Sequence, residues 1–181
     1  MKIGFISLGC SKNLVDTEMM IAHYKENGYV IVNDPADAEI IVINTCGFIE
    51  SAKQEAINTI LEMAEYKKTG PCKALIVTGC LAQRYKQEIV DEIPEVDAVI
   101  GTSKYDEIFD AVDQALKGSH FLDVDDLDRL PSVPGKRILT TGGHYAHLKI
   151  AEGCDKHCTY CIIPKIRGNY RSVPMEQLLA E

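Results

Sequence analysis

The pattern of apolar and polar residues divides positions 1–117 into short apolar runs and longer amphipathic stretches. The apolar runs predict β-strands at Lys2–Leu8, Tyr29–Val32, Glu39–Asn44, Ala74–Thr78 and Ala98–Ile100. The other stretches predict helices at Val15–Asn27, Ser51–Lys68, Ala82–Ile93 and Tyr105–Lys117. Strands that alternate with helices are typical of βαβ units and a parallel sheet. The sequence therefore predicts an α/β fold in which Ile40–Ile43, apolar at every position, is covered on both faces.

The residues after position 117 differ in composition and suggest a second unit. Residues 118–143 concentrate acidic residues, then proline and glycine, which predicts a linker with a short β-pair at Arg137–Thr141. Alternation from Tyr145 to Ala151 predicts another strand, which a cysteine-rich loop follows, and a helix is expected to begin near Pro174. We therefore expect a first domain at 1–117, a linker at 118–143 and the beginning of a second domain at 144–181.

Composition and charge narrow the environment in which the protein works. The 181 residues are 46% hydrophobic and 25% charged, as in ordinary folded proteins. The apolar runs are too short to span a membrane and the N-terminus lacks a signal-peptide pattern, so a cytoplasmic protein is expected. The formal net charge of −8 disfavours direct nucleic-acid binding by this segment. Seven cysteines, an odd number, favour metal ligation or catalysis over a complete disulfide framework.

One cysteine group is compact. Cys154, Cys158 and Cys161 occur in CDKHCTYC, directly after a predicted strand. Three thiolates within eight residues can face one centre, and thiolate is the ligand that iron–sulfur clusters and zinc prefer. Zinc would need a fourth ligand, for which His157 is the local candidate. Three unrelated cysteines are the remaining alternative.

A second group is dispersed along the chain. Cys10, Cys46 and Cys80 each follow a predicted strand, in FISLGC, VINTCG and IVTGC. Because the carboxyl ends of parallel strands meet at one edge of a sheet, we expect these cysteines to converge there. Flanking glycines would allow close approach to a bulky inorganic group, and helix N-termini would favour its negative charge. Small core cysteines are the alternative, and Cys72 fits neither group.

The compact group resembles the cluster motif of radical S-adenosylmethionine enzymes, in which an aromatic residue precedes the last cysteine, here Tyr160. The resemblance implies that Cys154, Cys158 and Cys161 hold a 4Fe–4S cluster with one open iron. That iron binds S-adenosylmethionine, whose reductive cleavage yields a 5′-deoxyadenosyl radical. Tyr160 would lie against the adenine by the family pattern, or it is simply a packed loop residue.

The whole chain is similar to the methylthiotransferase family of these enzymes. The segments SLGCSKNLVDTE, NTCGFIESAKQE, GCLAQRY and LKIAEGCDKHCTYCIIPKIRG look like its RimO branch, whereas Val173 departs from a frequent arginine. The resemblance implies methylthiolation of an aspartate β-carbon in small-subunit ribosomal protein twelve, with an electron donor and a sulfur donor. It also implies a second 4Fe–4S cluster on Cys10, Cys46 and Cys80 that holds the sulfur to be delivered.

Two other functions remain open from the sequence. One is a transfer-RNA adenosine methylthiotransferase of the MiaB type, and the other is a non-enzymatic iron–sulfur or zinc module. The second domain would be the beginning of an incomplete radical S-adenosylmethionine (βα) barrel, because about 40 residues are far fewer than a barrel needs. We therefore expect the chain alone to be inactive.

Among the polar residues, four have competing interpretations. Asn13, Asp16 and Glu18 are expected either to cap a helix or to lie near the cluster of Cys10. Arg167 could meet the cofactor carboxylate, a domain interface or an exposed partner.

Overall fold

The computed structural model describes residues 1–124, 127–129 and 137–181. Its main sheet consists of β1 (Lys2–Ser7), β2 (Val30–Val32), β3 (Ile40–Thr45), β4 (Ala74–Gly79), β5 (Ala98–Ile100) and β6 (Phe121–Asp123). These strands are parallel and lie in the order β2-β1-β3-β4-β5-β6. Every residue of β3 and β4 is buried, which confirms the prediction that the central strands are covered on both faces. The predicted α/β fold is therefore confirmed.

Helices cover both faces of the sheet. The helices of this part are α1 (Ser11–Glu26), α2 (Glu50–Ala64), α3 (Tyr66–Thr69), α4 (Cys80–Glu92) and α5 (Ile108–Leu116). Alternate residues along β3, such as Ile41 and Ile43, pack with α2 and α4, whereas Ile40 and Val42 pack with α1 and α5. This division follows from the two-residue period of strands, which sends successive side chains to opposite faces.

The order of strands reverses beside β1. The chain passes from β1 to its neighbour β2, and then returns to the other side of β1 as β3, from which β4 and β5 continue outwards. In open α/β sheets the ligand crevice lies at such a reversal, outside the carboxyl ends of the strands. The turns that follow β1 and β3 therefore border the expected ligand position.

The C-terminal part is less regular than the sequence predicts. It contains β7 (Ala151–Glu152) and β8 (Arg171–Ser172), which pair antiparallel, and the helices α6 (Ile163–Arg167) and α7 (Met175–Ala180). The predicted helix near Pro174 is thus confirmed. The predicted strand at Tyr145–Ala151 is wrong except at its last residue, and Arg137–Thr141 forms no strand.

At Arg137–Thr141 the physical reason lies in contacts with α1, which occupy backbone amides that a β-ladder would need. The amide of Ile138 donates to the carbonyl of Glu18 at 3.3 Å, and the amide of Thr140 donates to the Glu18 carboxylate at 2.6 Å. The segment before β7 is therefore an irregular strap over α1 rather than a strand.

The predicted linker also differs from the structure at its start. Residues 121–123 form β6, which extends the main sheet beyond the boundary expected at 117. Residues 125–126 and 130–136 of this linker lie outside the described residues. The division into domains and the start of a barrel stay predictions. Within the described ranges, no helix is long and apolar enough to cross a membrane.

Candidate functional site: cysteines at the sheet edge and in the C-terminal loop

Three cysteines follow three adjacent strands of the sheet. Cys46 comes directly after β3, Cys80 begins α4 directly after β4, and Cys10 caps the N-terminus of α1 shortly after β1. Because β1, β3 and β4 are parallel neighbours, all three residues lie at the same edge. Helices α1 and α4 begin at these cysteines, so their partially positive N-termini favour an anion there. The role of the three thiols as iron ligands stays a prediction.

The turns that carry the cysteines pack against one another through glycine. A Cβ on Gly9, whose φ is +90°, would lie 2.6 Å from Cβ and 3.0 Å from Sγ of Cys46. A Cβ on Gly47 would lie 2.8 Å from the carbonyl oxygen of Cys80. Such distances are too short for real side chains, so glycine is what permits these cysteines to approach. The sequence predicted a different role for the flanking glycines, close approach to a bulky inorganic group, and that role stays a prediction.

Electrostatics distinguishes Cys80 from its neighbours. The residue is buried, and burial raises the pKa of its thiol. Arg167 acts in the opposite direction, through its charge and a hydrogen bond from Nε to Sγ at 3.3 Å. The nearby thiols of Cys46 and Cys10 raise the pKa of Cys80 further.

Asn13 braces the edge where the cysteines meet. Its Nδ2 donates to the carbonyl of Leu8 at 2.9 Å and to the carbonyl of Thr45 at 3.0 Å, so it ties together the ends of β1 and β3. The amide of Asn44 in turn donates to the carbonyl of Asn13 at 2.8 Å. Asn13 is completely buried, and its position fits the expected polar contact near Cys10 rather than a helix cap.

A buried ionic network joins this edge to the C-terminal part. Nη1 of Arg167 contacts Asp16 at 2.8 Å and Glu152 at 3.0 Å, while Lys149 binds the same two carboxylates. Burial raises the pKa of Glu152, but the charges of Arg167 and Lys149 outweigh burial and lower it to about 2. Asp16 is therefore an interface residue, and the expectation that it caps α1 is wrong. Of the three placements considered for Arg167, the structure shows the interface.

Glu18, two residues after Asp16 in α1, also contacts the C-terminal part of the chain. Its carboxylate accepts hydrogen bonds from the amide and the hydroxyl of Thr140, and it pairs with Arg137 at 3.6 Å. Its side chain is buried, so this carboxylate holds the strap against α1. Glu18 therefore does not act as a helix cap either.

The compact cysteine group lies on an open loop. Cys158 is exposed, whereas Cys154 and Cys161 are half-buried. The amide of Cys161 donates to the carbonyl of Cys158 at 3.0 Å, and the amide of Cys154 donates to the carbonyl of Gly168 at 3.1 Å. His157 has a φ of +47°, a left-handed conformation that turns the loop between the first two cysteines.

A groove of about 760 Å³ borders the compact cysteine group, and its lining includes Cys158 and Cys161. One wall contains Phe48, two residues after Cys46, together with Arg84 of α4. The other wall contains Cys158 and the residues that follow it, and its lining includes Lys165. The groove is thus lined by two sulfurs of the compact group, by apolar side chains and by the cationic residues Arg84 and Lys165.

Two of the sequence expectations for this groove remain without a structural test. Tyr160 lines the groove but is 90% exposed, so its proposed contact with adenine stays a prediction. Among the described residues, no three His, Cys, Asp or Glu side chains are arranged to hold a single metal ion. A cluster in which each thiolate binds a different iron needs more widely spaced sulfurs than a single ion does. The donor set at the sheet edge, three thiols with a hydrogen-bond donor, suits such a group.

Sequence reasoning missed several residues that form this site. Lys149, Glu152 and Thr102 carry no motif by themselves, and Thr102 fixes the end of α6 by donating to the carbonyl of Ile166 at 2.8 Å. Their roles depend on contacts between distant segments. Asn44, by contrast, lies two residues before Cys46 in NTC. A polar residue at the end of a buried apolar run could have indicated that Asn44 belongs to the site.

Comparison with known proteins places the chain in a family. The model described as "Uncharacterized protein family UPF0004" matches residues 2–101, more than half of the chain. The chain therefore belongs to this family.

Individual relatives give a more particular similarity. The chain is 62% identical to a protein of Lachnoclostridium phytofermentans over 100% of the chain and 41% of that protein. It is 56% identical to a protein of Alkaliphilus oremlandii over 100% of the chain and 40% of that protein. It is 51% identical to a protein of Desulforamulus reducens over 99% of the chain and 40% of that protein. All three carry the name "Ribosomal protein uS12 methylthiotransferase RimO", which confirms the predicted relationship to the RimO branch. The chain spans about two fifths of the length of these curated relatives.

Proposed function

We propose that this chain provides the cysteine sites of a radical S-adenosylmethionine methylthiotransferase. Its substrate is an aspartate of small-subunit ribosomal protein uS12, which receives a methylthio group on the β-carbon. The observation that carries the proposal is the convergence of Cys10, Cys46 and Cys80 at one edge of the sheet, in a chain that also contains CDKHCTYC. The names of the relatives support the substrate class. Since the chain spans two fifths of those proteins, the activity is proposed for a protein of their length.

The proposal assigns a 4Fe–4S cluster to each cysteine group. Cys10, Cys46 and Cys80 would hold the auxiliary cluster, and Cys154, Cys158 and Cys161 the cluster that meets S-adenosylmethionine. When bound, these cofactors supply the electron, the carbon radical and the sulfur site of the reaction.

The residues around the clusters have separate tasks. The N-termini of α1 and α4 stabilise negative charge at Cys10 and Cys80. Arg84, which donates to the carbonyl of Gly47 at 3.0 Å, and Lys165 give the groove a positive lining that suits carboxylate groups. Phe48 and Ile49 supply apolar surface on the same wall.

The partners follow from the same reaction. It needs an electron donor and a sulfur donor, and it takes place in the cytoplasm where ribosomal proteins are available. The net charge of −8 suits a basic protein substrate better than a phosphate backbone.

Metal analysis tests the cofactors. After anaerobic reconstitution, two 4Fe–4S clusters predict about eight irons per chain. Replacement of Cys10, Cys46 and Cys80 by Ala should remove half of the iron, and replacement of Cys154, Cys158 and Cys161 by Ala should remove the other half. Cys72→Ala is the matched control and should keep the full amount. Binding of zinc alone, or iron that neither triple variant lowers, would contradict the proposal.

Mass spectrometry tests the substrate. In cells that lack the gene, protein uS12 should lose a methylthio-sized mass increment on one aspartate, and the gene should restore it. If uS12 is unchanged while a methylthiolated adenosine disappears from transfer RNA, the substrate assignment is wrong and the RNA reaction takes its place.

A further inference from the structure

Arg167 belongs to the C-terminal part of the chain, yet it contacts the dispersed cysteine group. Its Nε donates a hydrogen bond to Sγ of Cys80 at 3.3 Å. The side chain of Arg167 is only 5% exposed, so water does not compete for this contact. A guanidinium that reaches a thiol in such surroundings makes a directional, charge-assisted bond.

The remaining donors of the guanidinium are held in place. Nη1 binds Asp16 and Glu152 at 2.8 and 3.0 Å, and Nη2 donates to Oδ1 of Asn13. Because the planar guanidinium has fixed donor directions, these contacts fix the direction of Nε–H towards the sulfur. Lys149 binds the same two carboxylates, and the partly exposed Lys12 pairs with Glu152 at 3.4 Å, so three cations share two carboxylates. Arg167 therefore acts on Cys80 through its charge and through a hydrogen bond of fixed direction.

The backbone next to Arg167 contacts the loop that carries the compact cysteine group. The carbonyl of Gly168 accepts from the amide of Cys154, and a Cβ on Gly153 would lie 1.9 Å from the carbonyl oxygen of Asn169. Residues 168–169 thus pack directly on the loop that contains CDKHCTYC. Arg167 connects this loop to Cys80 through a single residue.

We propose that Arg167 is a positioning residue for the auxiliary cluster, an inference that rests on the function proposed above. It holds the Cys80 sulfur in the orientation needed for ligation and stabilises the reduced cluster by donating Nε–H to that sulfur. The C-terminal part of the chain thereby sets part of the reduction potential of a cluster whose ligands all lie in the first domain.

The reduction potential is the property to measure, because hydrogen bonds to cluster sulfurs raise it. Loss of the bond should disfavour reduction by about tenfold, which is a decrease of about 59 mV for a one-electron couple. The auxiliary cluster can be observed alone in a chain that carries Cys154→Ala, Cys158→Ala and Cys161→Ala. Redox titration followed by electron paramagnetic resonance then reports its potential and its spectrum.

Arg167→Lys is the test variant and Lys149→Met is its matched control. Lysine at 167 keeps a cation for Asp16 and Glu152 but lacks the Nε–H that reaches Cys80. Lys149→Met perturbs the same buried network but leaves Arg167 on the sulfur. If Arg167 had only a structural role, both variants would be less stable but would have the same reduction potential. Thermal unfolding of each apo protein measures the loss of stability.

The inference predicts that Arg167→Lys lowers the reduction potential by about 59 mV, which is a tenfold change in the reduction equilibrium. Lys149→Met should change the potential less. It also predicts faster loss of iron to a chelator from Arg167→Lys. Equal potentials in Arg167→Lys and the parent chain would overturn the inference while the proposed function stands. If Arg167→Lys does not fold, Arg167→Gln in the same titration decides, and an unchanged potential there overturns the inference too. Absence of iron from Cys10, Cys46 and Cys80 in the parent chain would overturn both.

Discussion

Replacement of Gly79 by alanine should show how closely the fold and the cysteine site depend on each other. Gly79 is the last residue of β4 and has φ +92° and ψ −160°, a region that only glycine adopts readily. An added Cβ would lie 2.5 Å from the carbonyl oxygen and 2.8 Å from the amide nitrogen of Thr45. These atoms belong to the neighbouring strand, so they can move only if β3 and β4 separate.

The expected cost combines two effects. The unfavourable backbone conformation costs about 1–3 kcal/mol, and overpacking in a close-packed interior costs about 1–3 kcal/mol. Gly79→Ala should therefore lower the free energy of unfolding by about 2–6 kcal/mol, a large part of the total for an ordinary domain. Gly28→Ala is the matched control, because Gly28 has φ +83° but a Cβ there meets nothing within 4 Å. That control should cost about 1 kcal/mol.

Urea unfolding of the metal-free chain, followed by far-ultraviolet circular dichroism, measures both values. Iron content after reconstitution provides a second readout, since movement of Gly79 displaces Cys80 and should lower iron binding. Gly28→Ala should bind iron normally. Equal losses of stability in the two variants would refute the reasoning, because the contact with β3 would then contribute nothing.

The remaining predictions concern buried ionisable groups. Asp16→Ala should lower the free energy of unfolding by about 3–5 kcal/mol, because it leaves two buried cations with one carboxylate. The control Glu65→Ala removes an exposed ion pair and should change the free energy of unfolding by at most about 1 kcal/mol. Similar values for the two variants in urea unfolding would contradict this prediction. Burial raises the pKa of Tyr24 far above its usual value, so above pH ~10 the unfolded state loses a proton that the folded state keeps, and stability falls as pH rises. Tyr24→Phe should reduce this alkaline slope by about 1.4 kcal/mol per pH unit, and an unchanged slope would show that Tyr24 ionises while folded. Burial also raises the pKa of the Cys72 thiol. In the metal-free chain, iodoacetamide should therefore modify Cys72 at least about tenfold more slowly than the exposed Cys158, as measured by peptide mass spectrometry. Equal rates would mean that Cys72 is accessible.

The sheet of the first domain was predictable because its signals are local. Strands β3 and β4 are continuous apolar runs between turns, and they occur within one residue of the predicted bounds. The helices were predictable from their period, although the long helix expected at Ser51–Lys68 is divided into α2 and α3. Residues 145–150 misled the prediction because their alternation resembles a strand, whereas β7 begins only at Ala151.

The sequence by itself predicted two groups of cysteines, and the structure places the dispersed group at one edge of the sheet. The position of each cysteine after a strand was enough to place Cys10, Cys46 and Cys80 at one edge, since parallel strands end on the same side of a sheet. The compact spacing of the other group needed no structure at all.

Only the tertiary structure decided what surrounds these cysteines. The contact of Arg167 with Cys80 joins residues 87 positions apart, and the pair of Lys149 with Asp16 joins residues 133 apart. No periodicity or spacing encodes such contacts, because each depends on where the strap and α6 pack against α1. Local patterns specify elements, whereas the partners of buried charges are fixed by packing, since a charge away from water must find its counter-charge wherever the fold places one.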